Sequence, residues 1–147
     1  MKVVDRGREV GSLKLEGFEK EVDGRLVKVL GGGAGLETSG SGKLLLRIKI
    51  TAEVGGVRGV YEITFGRYGR NAAMGFATAR ADAPGGREAD AERLSALVEA
   101  LTGKKPRVRR RSNGKIIIEC YERHLEGFMR FAELAEAIER WLEGTGW

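Results

Sequence analysis

Glutamine is missing from this chain, asparagine occurs only at Asn71 and Asn113, and there is one cysteine, one histidine and two prolines. Each scarcity excludes something. A single cysteine, Cys120, rules out an internal disulfide and fits a reducing compartment. It lies in an apolar run and reads as a buried structural thiol. A single histidine, His124, rules out a two-histidine zinc motif. Flanked by Glu122 and Glu126, it reads as a helix-start residue, with a general base as the alternative. No run of about 18 apolar residues exists, so no membrane-spanning helix is expected. Residues 1–20 are charged throughout and lack an apolar signal core, which predicts a cytoplasmic protein. Few amides beside many Glu, Lys and Arg suit a thermophile, although a codon-biased genome would give the same composition.

What remains is globular. The chain has 147 residues, 41% hydrophobic and 32% charged, enough for one domain with its own core. Its formal net charge is +5 and its sequence pI is about 9.6, which favours contact with phosphates or acidic surfaces.

The patterning is mostly strand-like in the first half. Leu13 and Leu15 alternate within residues 12–18, and Asp23-Gly24 is a strong hairpin turn before the alternating residues 25–30. Residues 31–42, GGGAGLETSGSG, predict a flexible Gly/Ser-rich loop. Its end, Gly40-Ser41-Gly42-Lys43, looks like the end of a phosphate-cradling loop, but Glu37 and Leu44 stand where such a loop needs Gly and a hydroxyl. Residues 44–54 form the strongest strand, with Leu44, Leu46, Ile48 and Ile50 opposite Leu45, Arg47, Lys49 and Thr51. Gly55-Gly56 turns the chain into a second strand ending at Phe65. The small-residue stretch 72–82 suits helix or strand; Gly75 tips it toward strand.

After Pro84-Gly85-Gly86, residues 87–102 predict a helix whose core stripe is Leu94, Leu97, Val98 and Leu101, stopped by Gly103. Residues 107–120 predict a hairpin turned by Asn113-Gly114 in the type I′ form. Residues 125–143 predict one last helix, with Phe131 and Trp141 widening its stripe. The expected fold is α+β: a single antiparallel sheet of five to seven strands with two main helices on one face.

The strongest functional pattern is basic. Lys104, Lys105, Arg107, Arg109, Arg110, Arg111 and Lys115 fall within twelve residues that contain no acid. Period two places Arg107, Arg109 and Arg111 on one face, about 7 Å apart, a spacing that suits a phosphate backbone. A solvated, aggregation-resistant edge hairpin is the alternative. Arg67, Tyr68 and Arg70 add a ring among cations, as single-strand binders use. Catalytic patterns are poor. The serines lack a nucleophile-elbow context, and Asp82, before Pro84, is the one acid placed as a magnesium ligand would be, with a turn-forming role as its alternative. No cofactor is expected.

The segment from Gly66 to Trp141 resembles a paralogous repeat family of hyperthermophilic crenarchaea, the PaRep type, class 2b. The residues that carry it are Gly66-Arg67-Tyr68-Gly69, the run from Ala79 to Leu94, Ala100 to Lys104, and His124 to Phe128. The resemblance implies an origin in a mobile element or a paralogous expansion. The element order from Leu44 onward is also similar to the latter part of a LAGLIDADG homing-endonuclease half, where a curved sheet grips DNA, and Met74–Asp82 faintly echoes its signature helix. It departs from that pattern in having no strands before the next helix.

Three functions are therefore carried forward. The first is a DNA- or RNA-binding module using the basic hairpin. The second is a magnesium-dependent, LAGLIDADG-like nuclease using Asp82. The third is an interaction or homo-oligomerisation domain using a last helix that exposes Phe131, Trp141 and Trp147.

Overall fold

The computed structural model describes residues 10–69 and 72–146. Among them run strands β1 (Glu19–Val22), β2 (Arg25–Thr38), β3 (Leu44–Val54), β4 (Val57–Tyr68) and β5 (Ala72–Thr78), helix α1 (Gly86–Thr102), strands β6 (Arg107–Arg110) and β7 (Ile116–Cys120), and helices α2 (Glu122–Phe128) and α3 (Ala132–Gly144). The strands make one antiparallel sheet in the order β1-β2-β3-β4-β5-β7-β6. The fold is α+β, as expected, with three helices rather than two.

β3 shows why the sheet has two unlike faces. Leu46, Ile48, Ile50, Ala52 and Val54 are each buried, while Arg47 and Lys49 between them are exposed. Burying one large aliphatic side chain contributes about 1.5–3 kcal/mol, so this alternation decides which face meets the helices. α3 packs on β2 and β3, and α1 packs on β7, on α2 and on the β1–β3 end of the sheet. The stripe of α1 is as expected: Leu94, Leu97, Val98 and Leu101 are all buried. Gly103 ends it at φ 76°, its N–H donating to the Glu99 carbonyl at 2.8 Å.

Residues 72–78 are a strand, and its core face is made of the smallest residues. The Phe65 ring lies over Gly75, where an added Cβ would come within 2.8 Å of it. A bulky ring on β4 therefore demands a bare position on β5. The larger Met74 and Phe76 point the other way.

Several expectations need correction. Residues 31–38 of the predicted loop are strand: β2 runs through them, paired from Gly31↔Thr51 to Thr38↔Leu44, with an irregularity between Val29 and Gly31. Only Ser39–Gly42 turns, where Ser39 Oγ accepts the Lys43 N–H at 3.0 Å. The glycines are tolerated because β3 supplies a full ladder. At Gly32 a glycine is also required, since a Cβ there would lie 2.8 Å from the Lys49 carbonyl oxygen and 2.9 Å from Leu15. The first strand is β1 rather than residues 12–18, where Leu13 makes only an isolated bridge to Phe131.

That bridge explains the next correction. The last helix is two, broken at residues 129–131. The Gly11 N–H donates to the Met129 carbonyl at 2.9 Å, the Leu13 N–H to the Arg130 carbonyl at 2.8 Å, and the Ala132 N–H to the Leu13 carbonyl at 2.8 Å. An N-terminal segment takes the main-chain groups that a continuous helix would use internally. Glu133 reinforces it by accepting the Leu15 and Glu16 N–H groups at 2.8 and 2.9 Å. Burial pushes the Glu133 carboxyl up, but those donors outweigh it and hold it below the usual value.

Phe131 and Trp141 are fully buried, not exposed. Trp141 Nε1 donates to the Leu44 carbonyl at 3.0 Å, and Phe131 meets Phe18 edge-on. Trp147 lies outside the described residues. The turns also differ. Asp23-Gly24 and Gly55-Gly56 both have two positive φ angles, as type I′ requires, whereas at Asn113-Gly114 only Gly114 does. The Arg111–Lys115 loop is therefore a tight turn followed by a left-handed glycine. No helix of the described residues is long and apolar enough to cross a membrane.

An added Cβ at Gly127 would lie 2.6 Å from the main chain of Thr102, where α2 crosses the end of α1. Gly127→Ala should lower the unfolding free energy by about 1–3 kcal/mol in urea titrations.

His124 is fully buried; its Nδ1 accepts the Tyr121 N–H at 2.8 Å and its Nε2 donates to the Lys105 carbonyl at 3.0 Å. This pattern needs the neutral ring. Burial depresses its pKa most, against the Lys105 bond, with Arg123 and Lys104 depressing it further. The unfolded chain then binds the proton more readily, so His124's contribution is complete above about pH 6.5 and is lost as pH falls below it. Thermal midpoints should hold above about pH 6.5 and drop as pH falls below it, and His124→Asn should flatten that dependence.

Candidate nucleic-acid interface

Directly paired residues in a sheet put their side chains on the same face. The registers can therefore be followed strand to strand: Gly35↔Arg47, Arg47↔Thr64, Thr64↔Phe76, Phe76↔Glu119 and Glu119↔Arg107. These six residues form one rung across β2, β3, β4, β5, β7 and β6. The helices lie on the opposite face. The neighbouring pairings Thr78↔Ile117 and Ile117↔Arg109 add to the same face, as does Lys49↔Glu62. Arg47 and Arg107 are four strand spacings apart, about 19 Å.

The predicted arginine row is present at one end of this face. Arg107 and Arg109 project from β6, and alternation carries Arg111 to the same side, where its N–H donates to the Lys115 carbonyl at 2.8 Å. Lys115 and Arg111 are exposed. The row is not a bare string of charges. Arg109 Nη1 meets Glu119 Oε2 at 2.6 Å, and the Tyr121 hydroxyl donates to Glu119 Oε1 at 2.8 Å. Burial pushes the Glu119 carboxyl up, but the bonds from Arg109 and Tyr121 and the charge of Arg107 leave it below the usual value. Arg110, off the row, pairs with Glu88 of α1.

The other end is closer to charge balance. Arg47 meets Glu37 at 2.5 Å and Glu62 at 3.4 Å, and Lys49 stands 4.0 Å from Glu62. Between the ends lie aromatic rings. Tyr68 is 39% exposed, with the Lys43 ammonium 3.7 Å above its ring and Phe76 edge-on at 5.5 Å.

The remaining sequence candidates fall elsewhere. Arg67 pairs with Ala73 on the helix side and donates to the Thr145 carbonyl after α3, so it stands apart from the arginine row. Arg70 lies outside the described residues. Lys104 and Lys105 sit in the exposed α1–β6 connection, Lys105 4.0 Å from Asp23 of the β1–β2 turn. Asp82 occupies an exposed turn between β5 and α1. Among the described residues, no three His, Cys, Asp or Glu side chains gather as a metal would require. Met74–Thr78, where the echo of a signature helix falls, is strand. Cys120 is buried, its thiol pushed up to about 12 by burial, which leaves it unreactive.

The face also contains residues that the basic run alone does not reveal: Arg47, Lys49, Phe76 and Glu119. Arg47 and Lys49 had a signal, the alternation opposite Leu46 and Ile48. Glu119 had none, because an acid inside the IIIEC run becomes meaningful only when Arg109 is seen beside it. In a double-mutant cycle, Glu119→Ala and Arg109→Ala should each lower the urea midpoint, and the double variant should lose less than the two combined.

Comparison with known proteins found no matching family model, no matching curated protein and no matching solved structure.

Proposed function

We propose that the protein binds nucleic acid on the open face of its sheet, with the β6–β7 hairpin holding phosphates. The observation that carries this reading is the rung. It puts Arg107 of the basic row, Phe76 and Arg47 on the one sheet face that the helices leave uncovered. Cations spaced along a strand can follow phosphates, and rings at mid-sheet can stack on bases. Glu119 fits this arrangement. Buried beside the row, it holds the Arg109 guanidinium at 2.6 Å, and the charge of Arg107 helps keep Glu119 ionised. Asp82 stands in an exposed turn, and among the described residues no trio of ligating side chains gathers around it.

Fluorescence anisotropy with labelled single-stranded DNA, single-stranded RNA and duplex DNA tests the proposal. Affinity should fall between about 50 and 200 mM salt, with a slope of roughly −0.7 per phosphate contacted on single strands. Combined charge reversal, Arg107→Glu with Arg109→Glu and Arg111→Glu, should weaken binding at least about tenfold and flatten the slope. Absence of binding at low salt, or an unchanged triple variant, would overturn the reading.

A further inference from the structure

The sheet is not continuous across its middle. Pairing between β4 and β5 ends at Thr64↔Phe76. Beyond that point β5 stays with β7, through Thr78↔Ile117 and the Ala79 N–H to the Ile116 carbonyl at 2.9 Å. β4 stays with β3 down to Val57. The two strands splay, and the gap is a cleft of about 630 Å³ opening beside Phe76. That is within the range of about 300–1,000 Å³ typical of small-molecule sites.

The walls carry main-chain hydrogen-bonding groups. The two-residue turn at Gly55-Gly56 closes on Val54↔Val57, which makes alternate residues of β4 bond to β3. Val60 and Glu62 therefore turn their N–H and C=O groups the other way, into the gap. On β5 the Ala79 N–H goes to β7, so Thr78 faces the gap. Among the described residues no strand lies against these groups there, although such groups in a sheet are almost always paired.

The floor is polar as well. Tyr61, 5% exposed, and Asp90 of α1 line it, and Asp90 accepts the Arg80 N–H at 2.8 Å. Behind them Arg93 is nine-tenths buried, with Nη2 donating to the Pro84 carbonyl at 2.7 Å and Nε lacking any hydrogen-bond partner. Burial raises the Tyr61 hydroxyl's pKa, and the adjacent Arg93 guanidinium pulls it back. Arg47, Lys49 and Arg80 stand among the cleft's lining residues.

We infer that this cleft takes one unstacked base of a single strand lying on the open face, reading its edge with the main-chain groups of Val60, Glu62 and Thr78. The inference rests on the nucleic-acid reading above and sharpens it to a substrate class. Phase and charge agree with it: Phe76 at the mouth offers a ring to a neighbouring base, and Lys49 and Arg80 suit the flanking phosphates. A base edge carries donors and acceptors that match such walls, and a single strand can splay a base outward at little cost. A duplex would first have to unpair and unstack it.

The test uses the full chain and labelled DNA homopolymers of about 12 residues, a matched duplex, and the free nucleoside monophosphates. The wild-type protein should prefer one homopolymer over the other homopolymers and the duplex by about tenfold. Val60 is 40% exposed, so Val60→Trp should fill the cleft without disturbing the core. It should erase the preference and leave weaker, salt-dependent binding. Tyr61→Phe, which removes only the floor hydroxyl, should reduce the preference while circular dichroism stays unchanged. Equal binding of all strands and duplex, or a preference that survives Val60→Trp, would overturn the cleft assignment. A free nucleotide binding as tightly as the strand would overturn the strand as its ligand. The two proposals fail separately. Loss on Val60→Trp with the arginine-row variant unchanged sinks the phosphate row and leaves the cleft. Loss on the row variant with preference indifferent to Val60→Trp sinks the cleft and leaves the row.

Discussion

Everything in this molecule depends on the in-register antiparallel pairing that keeps one face of the sheet apolar and the other free. Period-two alternation separates Leu46, Ile48 and Ile50 from Arg47 and Lys49 on β3. Register then propagates that choice from strand to strand. A slip of one residue would exchange the faces and bury the cations. The tight turns at Asp23-Gly24 and Gly55-Gly56 guard against that slip in the first half of the sheet.

The helices complete the asymmetry. All three lie on the apolar side, where Phe65 meets Phe128 and Trp141 at ring separations of 6.4 and 6.5 Å. Phe128, Phe131 and Trp141 are consumed in this core, with Trp141 tied to the Leu44 carbonyl. That leaves little reason to read α3 as an adhesive surface. Among the described residues, the face the helices leave uncovered presents guanidinium groups at one end, rings in the middle and a splayed seam between β4 and β5.

Charge on that face is arranged rather than merely abundant. Arg47 is shared between Glu37 and Glu62, and Arg109 is held by Glu119, which Tyr121 also holds. Exposed ion pairs contribute little to stability. Their effect here is to orient long side chains above the sheet. Glu119 differs, since it is buried and its partners must stay in place to satisfy it.

Much of this was legible in the chain alone, and for a physical reason. Local periodicity, turn dipeptides and end signals act over a few residues, so β3, β4, the β6–β7 hairpin, the α1 stripe and the Gly103 stop could be read directly. The basic run and its period-two geometry were legible in the same way. What the tertiary structure decided depends on partners distant in sequence. GGGAGLET is a strand because β3 lies beside it, and residues 125–143 are two helices because Leu13 bonds between them. The seam that opens β4 from β5 exists because β5 follows β7, a choice made by contacts some forty residues away that no local pattern encodes.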